Sequence, residues 1–162
     1  MYKNTDKIGL LFVCLGNICR SPAAEEIMRQ IVIKHNREKD FFIDSCGIGG
    51  WHIGQLPDKR MRMAGNKQDY NFTHRARQFD NRDFVDFDYI LCMDNENFSS
   101  IQNKDRRGEY SNKIILLSDY LTDYPNQKEI PDPYYGEGKD FFFVIELLEN
   151  ACENLFNEKF KI

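Results

Sequence analysis

The sequence predicts an α/β fold in three layers, with an open and mostly parallel β-sheet between helices. Three observations lead to this prediction. Four apolar runs have the length of strands, helix-like or loop segments separate them, and a clear amphipathic helix follows the last run. Strands that alternate with helices are typical of parallel sheets, because each crossover carries a helix over one face of the sheet.

The four apolar runs predict four β-strands. Residues 8–13 are almost wholly apolar, which is the pattern of a strand buried on both faces of a parallel sheet. The other three apolar runs predict the second, third and fourth strands, at residues 41–43, 89–93 and 113–117.

Helix signals lie between and after these runs. Ser21 and Pro22 predict an N-cap and a first-turn proline for the first helix, and Asp94 predicts the cap of another that ends near Gln102. The C-terminal segment carries apolar residues at helical spacing, namely Phe141, Val144, Ile145, Leu148, Cys152, Leu155 and Phe156. Residues 47–55 and 120–138 read as long loops, which are often functional in a compact domain.

The composition is that of a globular protein. The chain has 162 residues, 41% hydrophobic and 30% charged, and we expect a single domain over residues 1–162. The net charge of −4 argues against a protein whose main task is to grip nucleic acid, so no nucleic-acid partner is expected. We also expect a monomer.

The number and placement of the cysteines indicate the redox compartment in which the protein functions. Five is an odd number, which disfavours a fully paired secreted framework. Cys14 at the end of the first apolar run faintly suggests a lipoprotein cleavage site, but Phe12 and Val13 are too bulky for one. No apolar stretch approaches the roughly 20 residues of a membrane span, so we expect a reduced cytoplasmic protein without a membrane partner.

The segment with the strongest chemical signal is residues 14–22, between the first strand and the first helix. Such a junction aims several backbone N–H groups at one point, and the helix N-terminus adds a positive dipole end, so it binds an oxyanion. Arg20 adds a guanidinium fork that matches two phosphate oxygens. Gly16 and Asn17 are residue types that tolerate positive φ, as a tightly wound loop requires.

Cys14 lies where the strand meets this loop, and a field that binds an anion also stabilises a thiolate. Ser21 is placed to donate a hydrogen bond to its sulfur. Two other interpretations are a buried core cysteine beside a surface arginine, and a metal site. The spacing of Cys14 and Cys19 is at the edge of zinc patterns and no second ligand pair follows, so no metal is expected.

A thiolate that attacks a bound phosphate ester also needs a proton donor for the leaving group. Asp132, next to Pro133 on an irregular loop before the last helix, is the best candidate. Tyr134 and Tyr135 follow it and are suited to wall a slot for a flat ring. Asp-Pro alone is a common turn pair and would be read as structural. The anion-binding loop at residues 14–22 is the reason to prefer a catalytic role for Asp132.

Together these segments resemble the low-molecular-weight protein tyrosine phosphatase family, from Leu10 to about Leu155. The match rests on five separated motifs in the family's order, namely residues 11–22 (LFVCLGNICRSP), 57–60 (PDKR), 74–78 (HRARQ), 87–94 (FDYILCMD) and 132–135 (DPYY). The resemblance implies a four-stranded parallel sheet of order 2-1-3-4, with the phosphate loop at a topological switch point.

The resemblance also implies a mechanism without metal or organic cofactor. Cys14 attacks phosphorus and forms a phosphocysteine, Asp132 protonates the leaving oxygen and then activates water, and Arg20 holds the phosphate oxygens. Asn17, Ser21 and His74 are expected to support the loop, and Cys19 to form a reversible disulfide with Cys14 under peroxide. The substrate-binding residues implied are Leu15, Gly16, Asn17, Ile18, Cys19, Ser21, Trp51, Tyr134 and Tyr135.

Single positions distinguish a tyrosine phosphatase from other activities found on this fold. Arsenate reductases of this fold need two further cysteines near the third strand, and here Cys92 stands alone until Cys152. Arginine phosphatases typically carry Thr where this chain has Ile18, which suits an aromatic ring. A binding module without chemistry usually lacks the nucleophile, the arginine or the acid. We therefore expect proteins that carry phosphotyrosine, a tyrosine kinase among them, as partners, and a phosphate or sulfate ion in the site. We also expect His52, which follows Trp51, to influence which sequences are preferred around the phosphotyrosine.

Overall fold

A computed structural model describes residues 6–161, so the two ends of the expected domain, residues 1–5 and residue 162, lie outside the described residues. Four parallel strands form one sheet in the order β2-β1-β3-β4, which confirms the order that the resemblance implies. The strands are β1 (Ile8–Cys14), β2 (Phe41–Gly47), β3 (Tyr89–Cys92) and β4 (Ile114–Leu116).

Helices cover both faces of this sheet. They are α1 (Arg20–Lys34), α2 (Lys59–Asn66), α3 (Asp83–Asp86), α4 (Asn95–Lys104) and α5 (Gly138–Lys159). α1 packs against α5 and β1 on one face, and α4 packs against β3 and β4. Among residues 6–161, no helix is long and apolar enough to cross a membrane.

β1 is the central strand, and its alternate side chains enter two separate cores. Leu10 and Phe12 belong to the core under α1 and α5, whereas Leu11 and Val13 belong to the core that contains Phe84 and Ile101. Successive side chains of a strand point to opposite faces, so an unbroken apolar run is what a strand with two covered faces requires. The predicted three-layer α/β architecture is confirmed.

β2 is longer than the predicted 41–43, because it pairs with β1 as far as Gly47 opposite Cys14. A Cβ on Gly47 would lie 3.0 Å from the backbone carbon of Gly16 and 3.0 Å from the Leu15 carbonyl oxygen. Any larger residue at this position would push the loop away from the sheet. The end of β2 therefore supports the loop that follows β1.

Helix starts were predicted with mixed success. Asp94 does cap α4, because its Oδ1 accepts the Asn97 N–H at 2.8 Å, and the helix runs to Lys104. The expectation that Ser21 is an N-cap was wrong. α1 begins at Arg20, with Cys19 at the N-cap position and Ser21 already inside the first turn, because the Ser21 hydroxyl is bonded to other side chains.

Candidate active site

Residues 15–19 connect the carboxyl end of β1 to the N-terminus of α1. The crossover after β1 leads outward to β2, and the crossover after its neighbour β3 leads the other way to β4, so this loop lies at a topological switch point. No described side chain caps the N-terminus of α1, and Pro22 in the first turn has no N–H. The backbone amides at this helix end are thus available to an anion.

A cavity of about 320 Å³ opens at this loop. Cys14 is only 3% exposed, whereas Trp51 and Tyr135 are 68% and 94% exposed, so the aromatic side chains lie at the rim and the thiol at the base. The thiol and the Arg20 guanidinium thus lie below an aromatic opening. Its lining residues are Cys14, Leu15, Gly16, Ile18, Cys19, Arg20, Trp51, His52, Asp132, Tyr134 and Tyr135.

Ser21 lies directly beside the Cys14 thiol, with 2.9 Å between its Oγ and Cys14 Sγ. Asn17 Nδ2 donates a hydrogen bond to the same Oγ at 2.8 Å, which orients the hydroxyl. Another acceptor, the Cys46 carbonyl oxygen, is farther away at 3.3 Å. The single hydroxyl proton is therefore free to point at the sulfur, where it stabilises a thiolate.

Asn17 holds the loop from the inside and is fully buried, with φ at 58° as expected for this residue. Its Oδ1 accepts hydrogen bonds from His74 Nε2 and from the Arg77 backbone N–H, both at 2.9 Å, and its Nδ2 also donates to Ser45 Oγ at 3.0 Å. Asn17 and Ser21 do not line the cavity, and they act on it by holding Cys14 and the loop.

Gly16 differs from its expected role, because its φ is not positive. A Cβ at this position would lie 3.1 Å from Cδ2 of His52. The absence of a side chain therefore makes room for the imidazole that packs on the loop.

Replacement of Asn17 tests this support. Asn17→Ala should lower the free energy of unfolding by about 2–4 kcal/mol, because it leaves buried partners without bonds and replaces asparagine, which tolerates the left-handed region, with a residue that does not. Asn17→Gly should lose less, since it removes only the hydrogen bonds. Urea unfolding of both variants measures the difference, and equal losses would contradict a backbone contribution.

Arg20 is 2% exposed although it lines the cavity. Its Nη1 donates to Asp94 Oδ2 at 2.6 Å and to the Ile130 carbonyl at 3.0 Å, and its Nη2 lies 3.6 Å from Asp132 Oδ2. Burial opposes the charge, but Cys14 and the two carboxylates together raise the pKa of the guanidinium above its usual value. Arg20 is thus a fixed positive charge at the base of the cavity.

Asp132 lines the same cavity as the Cys14 thiol, with a side chain 39% exposed. Its Oδ1 accepts the Tyr134 N–H at 3.1 Å, which orients the carboxyl group. Arg60 donates to the Tyr134 carbonyl at 2.8 Å and is itself held by Asp58, the cap of α2. The loop that carries Asp132 is thereby attached to the start of α2.

Some of these residues had no role in the sequence interpretation. Asp94 was expected as a helix cap, and Asp58 and Arg60 had no assigned function. All three belong to quoted motifs, residues 87–94 and 57–60, and that was the signal for them. The contact of Asp94 with Arg20 spans 74 residues of sequence and has no local pattern that could have shown it.

The remaining thiols are all free among the described residues. Cys19 lines the same cavity as Cys14, and burial raises the pKa of its thiol, so it is a protonated neighbour of the nucleophile candidate. Cys46, Cys92 and Cys152 are fully buried in the core, and burial raises their pKa as well. Cys92 and Cys152 lie in different core clusters.

One group in the described chain has the geometry of a metal site, formed by Glu25, Asp44 and His74. Its atoms already have partners. His74 Nδ1 lies 3.0 Å from Glu25 Oε1, and Arg29 and Arg77 lie 2.9 and 3.0 Å from the two carboxylates. Two adjacent guanidinium groups disfavour a further cation, and the group instead fixes His74 against Asn17.

Comparisons with known proteins agree with this geometry. The family model described as low molecular weight phosphotyrosine protein phosphatase matches residues 9–161. A relative of that name from Sus scrofa is 41% identical over 144 residues, which are 88% of this chain and 90% of the relative. A protein tyrosine phosphatase structure from Entamoeba histolytica has a TM-score of 0.89 and 44% identity, covering 94% of this chain and 96% of that one.

A structure described as a Drosophila arginine phosphatase is also similar, with a TM-score of 0.85 and 32% identity over 94% of this chain and 98% of that one. The fold is therefore shared by proteins named for different phosphorylated residues. The family model and the relatives nevertheless agree, and the chain belongs to the low molecular weight phosphotyrosine protein phosphatase family.

Proposed function

We propose that this protein hydrolyses phosphotyrosine in proteins through a phosphocysteine intermediate. One observation carries the proposal, namely that a single cavity contains the Cys14 thiol, the buried Arg20 guanidinium and the Asp132 carboxyl group. These are the nucleophile, the anion-binding group and the proton donor that the reaction needs.

Binding comes first. The phosphate dianion enters the loop, where the free amides at the α1 N-terminus and the Arg20 fork bind its oxygens. Asp94 and the Ile130 carbonyl hold Arg20 in place before the substrate arrives. Little reorganisation is then needed as charge develops on the equatorial oxygens.

In the first chemical step the Cys14 thiolate attacks phosphorus and the bond to the tyrosine oxygen breaks. Asp132 gives its proton to that oxygen, so that tyrosine leaves as a neutral phenol. Ser21 releases its hold on sulfur as the S–P bond forms.

In the second step the Asp132 carboxylate takes a proton from a water molecule, whose oxygen attacks phosphorus. The S–P bond breaks, inorganic phosphate leaves, and the Cys14 thiolate is restored with its hydrogen bond from Ser21. The hydroxyl thus stabilises the sulfur both before attack and on departure.

Cavity depth favours an aromatic substrate. Cys14 is buried at the base, and Trp51, Tyr134 and Tyr135 stand at the opening, so a phenyl spacer reaches the thiol while a serine stem is too short. Ile18, 8% exposed and part of the lining, offers apolar contact to a ring and no hydrogen bond to a guanidinium. Phosphoproteins that carry phosphotyrosine, tyrosine kinases among them, are the proposed partners, and the five free thiols support a reducing compartment.

Three matched peptides with phosphotyrosine, phosphoarginine and phosphoserine test the substrate class. We expect rapid phosphate release from the phosphotyrosine peptide alone. A preference for phosphoarginine would leave the loop chemistry intact and contradict the role given to Ile18 and the aromatic rim. Binding of phosphotyrosine without release would show a recognition module in place of an enzyme.

Asp132→Asn tests the proton donor. The variant keeps an oxygen for the Tyr134 N–H but has no proton to give, so kcat for phosphotyrosine should fall by about 10²–10⁴-fold. Aryl phosphates whose leaving group needs no protonation should lose less in the first step. An equal loss for strongly and weakly acidic leaving groups in single-turnover kinetics would contradict this role.

A further inference from the structure

A second groove adjoins the catalytic cavity across Leu15. This side chain is 41% exposed and lines both the cavity and a neighbouring groove of about 430 Å³. Leu15 and Ile48 form an apolar side of the groove, and the first turns of α4 form the other. Hydrogen bonds from the Ile48 N–H to the Cys14 carbonyl and from the Gly49 N–H to the Leu15 carbonyl, both 2.9 Å, fix this side to the phosphate loop.

The wall formed by α4 carries unneutralised negative charge. The helix N-terminus is already satisfied, since Asp94 accepts the Asn97 N–H at 2.8 Å and Glu129 accepts the Asn95 N–H at 2.6 Å. Glu96 is exposed, and it is the one ionisable side chain among the described residues that line the groove. No ion pair of Glu96 is present within residues 6–161, so its carboxylate is available to a cation.

Asn97 is part of the same wall and is 2% exposed. Its Oδ1 has no hydrogen-bond partner in the described part of the chain, but the atom is buried behind the wall and has no surface that a bound group could touch. Glu96 is therefore the group of this wall that offers a charge to a ligand, beside the apolar surface of Leu15 and Ile48.

We propose that this groove binds a lysine or arginine side chain of the substrate, close in sequence to the phosphotyrosine. The inference rests on the proposed function, because a phosphotyrosine ring in the cavity places neighbouring substrate residues beside Leu15. The aliphatic stem of such a side chain covers Leu15 and Ile48, and its charged end meets Glu96. The groove is thus a specificity subsite for basic sequences.

The test compares phosphotyrosine peptides that carry lysine or the neutral, unbranched norleucine at each of two positions before and after the phosphotyrosine. At one position the lysine peptide should have a kcat/KM about two- to fivefold higher, as an exposed ion pair provides, and the preference should shrink at high salt. Because both peptides are tested with the same enzyme preparation, their ratio does not depend on the enzyme concentration or on the fraction of active enzyme.

Variants then locate the charge. Glu96→Gln should bring the lysine-to-norleucine ratio close to one, and Glu96→Lys should invert it. Ser99→Lys, which puts a resident cation one turn from Glu96, should also reduce the ratio without removing the carboxylate. Glu158→Gln, an exposed site on α5 away from the groove, is the matched control and should leave the ratio as in the wild type.

The outcomes separate this inference from the proposed function. Hydrolysis of all peptides with no lysine preference at any position overturns the groove proposal and leaves the phosphatase reaction intact. A lysine preference that survives both Glu96 variants overturns it as well. If no phosphotyrosine peptide is hydrolysed, both the function and the inference are wrong.

Discussion

Cys14→Ser should abolish phosphate release from a phosphotyrosine peptide, with kcat lower by on the order of 10⁴-fold or more, which is the scale of removing an enzymatic nucleophile. The replacement is nearly isosteric and keeps a partner for Ser21, whose Oγ lies 2.9 Å from the sulfur. A serine hydroxyl is a much weaker nucleophile than a cysteine sulfur, so the variant cannot form the covalent intermediate at a useful rate. Stopped phosphate-release assays measure the loss.

Binding by the same variant provides the control. The loop amides and Arg20 are unchanged, so Cys14→Ser should still bind the phosphotyrosine peptide, and its melting temperature should stay near that of the wild type. Cys152→Ser, at a core thiol outside the cavity, should keep the catalytic rate of whatever fraction folds. Substantial turnover by a folded Cys14→Ser protein would contradict the proposed mechanism.

Arg20→Lys should lower kcat/KM by about 10²–10³-fold, the usual cost of losing one preorganised donor of an oxyanion site. Lysine keeps the charge that Asp94 requires, but its ammonium cannot bridge Asp94, the Ile130 carbonyl and the phosphate in the way that the fork does. Steady-state kinetics with a phosphotyrosine peptide measure the effect. Arg106→Lys, at an exposed arginine, is the matched control and should be neutral.

Removing the positive charge of Arg20 should lower the free energy of unfolding as well as the activity. Arg20→Ala leaves Asp94, whose side chain is 18% exposed, without its cation at the base of the cavity, and the loss should be at most the roughly 3–5 kcal/mol that breaking a fully buried pair costs. Arg20→Lys should lose much less stability than Arg20→Ala while losing most of the activity. Two variants with parallel losses of stability and activity would indicate a structural role for Arg20 in place of phosphate binding.

The parts of the fold that were predictable have strong local patterns. The apolar run of β1 and the helical spacing in α5 depend on burial, which leaves a periodic trace in sequence. The short helices α2 and α3, of eight and four residues, were missed. α2 does bury Met61, Ala64 and Gly65 at helical spacing, but a pattern of two turns is too short to stand out from the sequence around it. β2 continues beyond its apolar residues because Ser45 and Asp44 find partners in Glu25 and Arg77, which no local pattern reveals.

The residues of the candidate site likewise fall into those that the sequence could show and those that it could not. Cys14, Arg20 and the loop were identifiable because they are contiguous in sequence and the chemistry needs those residue types. Ser21 was assigned the wrong structural role, because an N-cap is the default for a serine before a helix, while here its hydroxyl accepts a hydrogen bond from Asn17 and lies 2.9 Å from the Cys14 sulfur. Asp94 contacts Arg20 only through the fold, so its second role required the structure.

The most direct test of the central claim is to trap the intermediate. Asp132→Asn slows the second step, in which water must be deprotonated, so acid-quenched enzyme mixed with a reactive aryl phosphate should carry one phosphoryl group. Peptide mass spectrometry should place that group on Cys14, with a phosphorus NMR signal typical of a thiophosphate ester. A phosphoryl group on another residue, or burst kinetics without any phosphoenzyme, would contradict the mechanism proposed for this cavity.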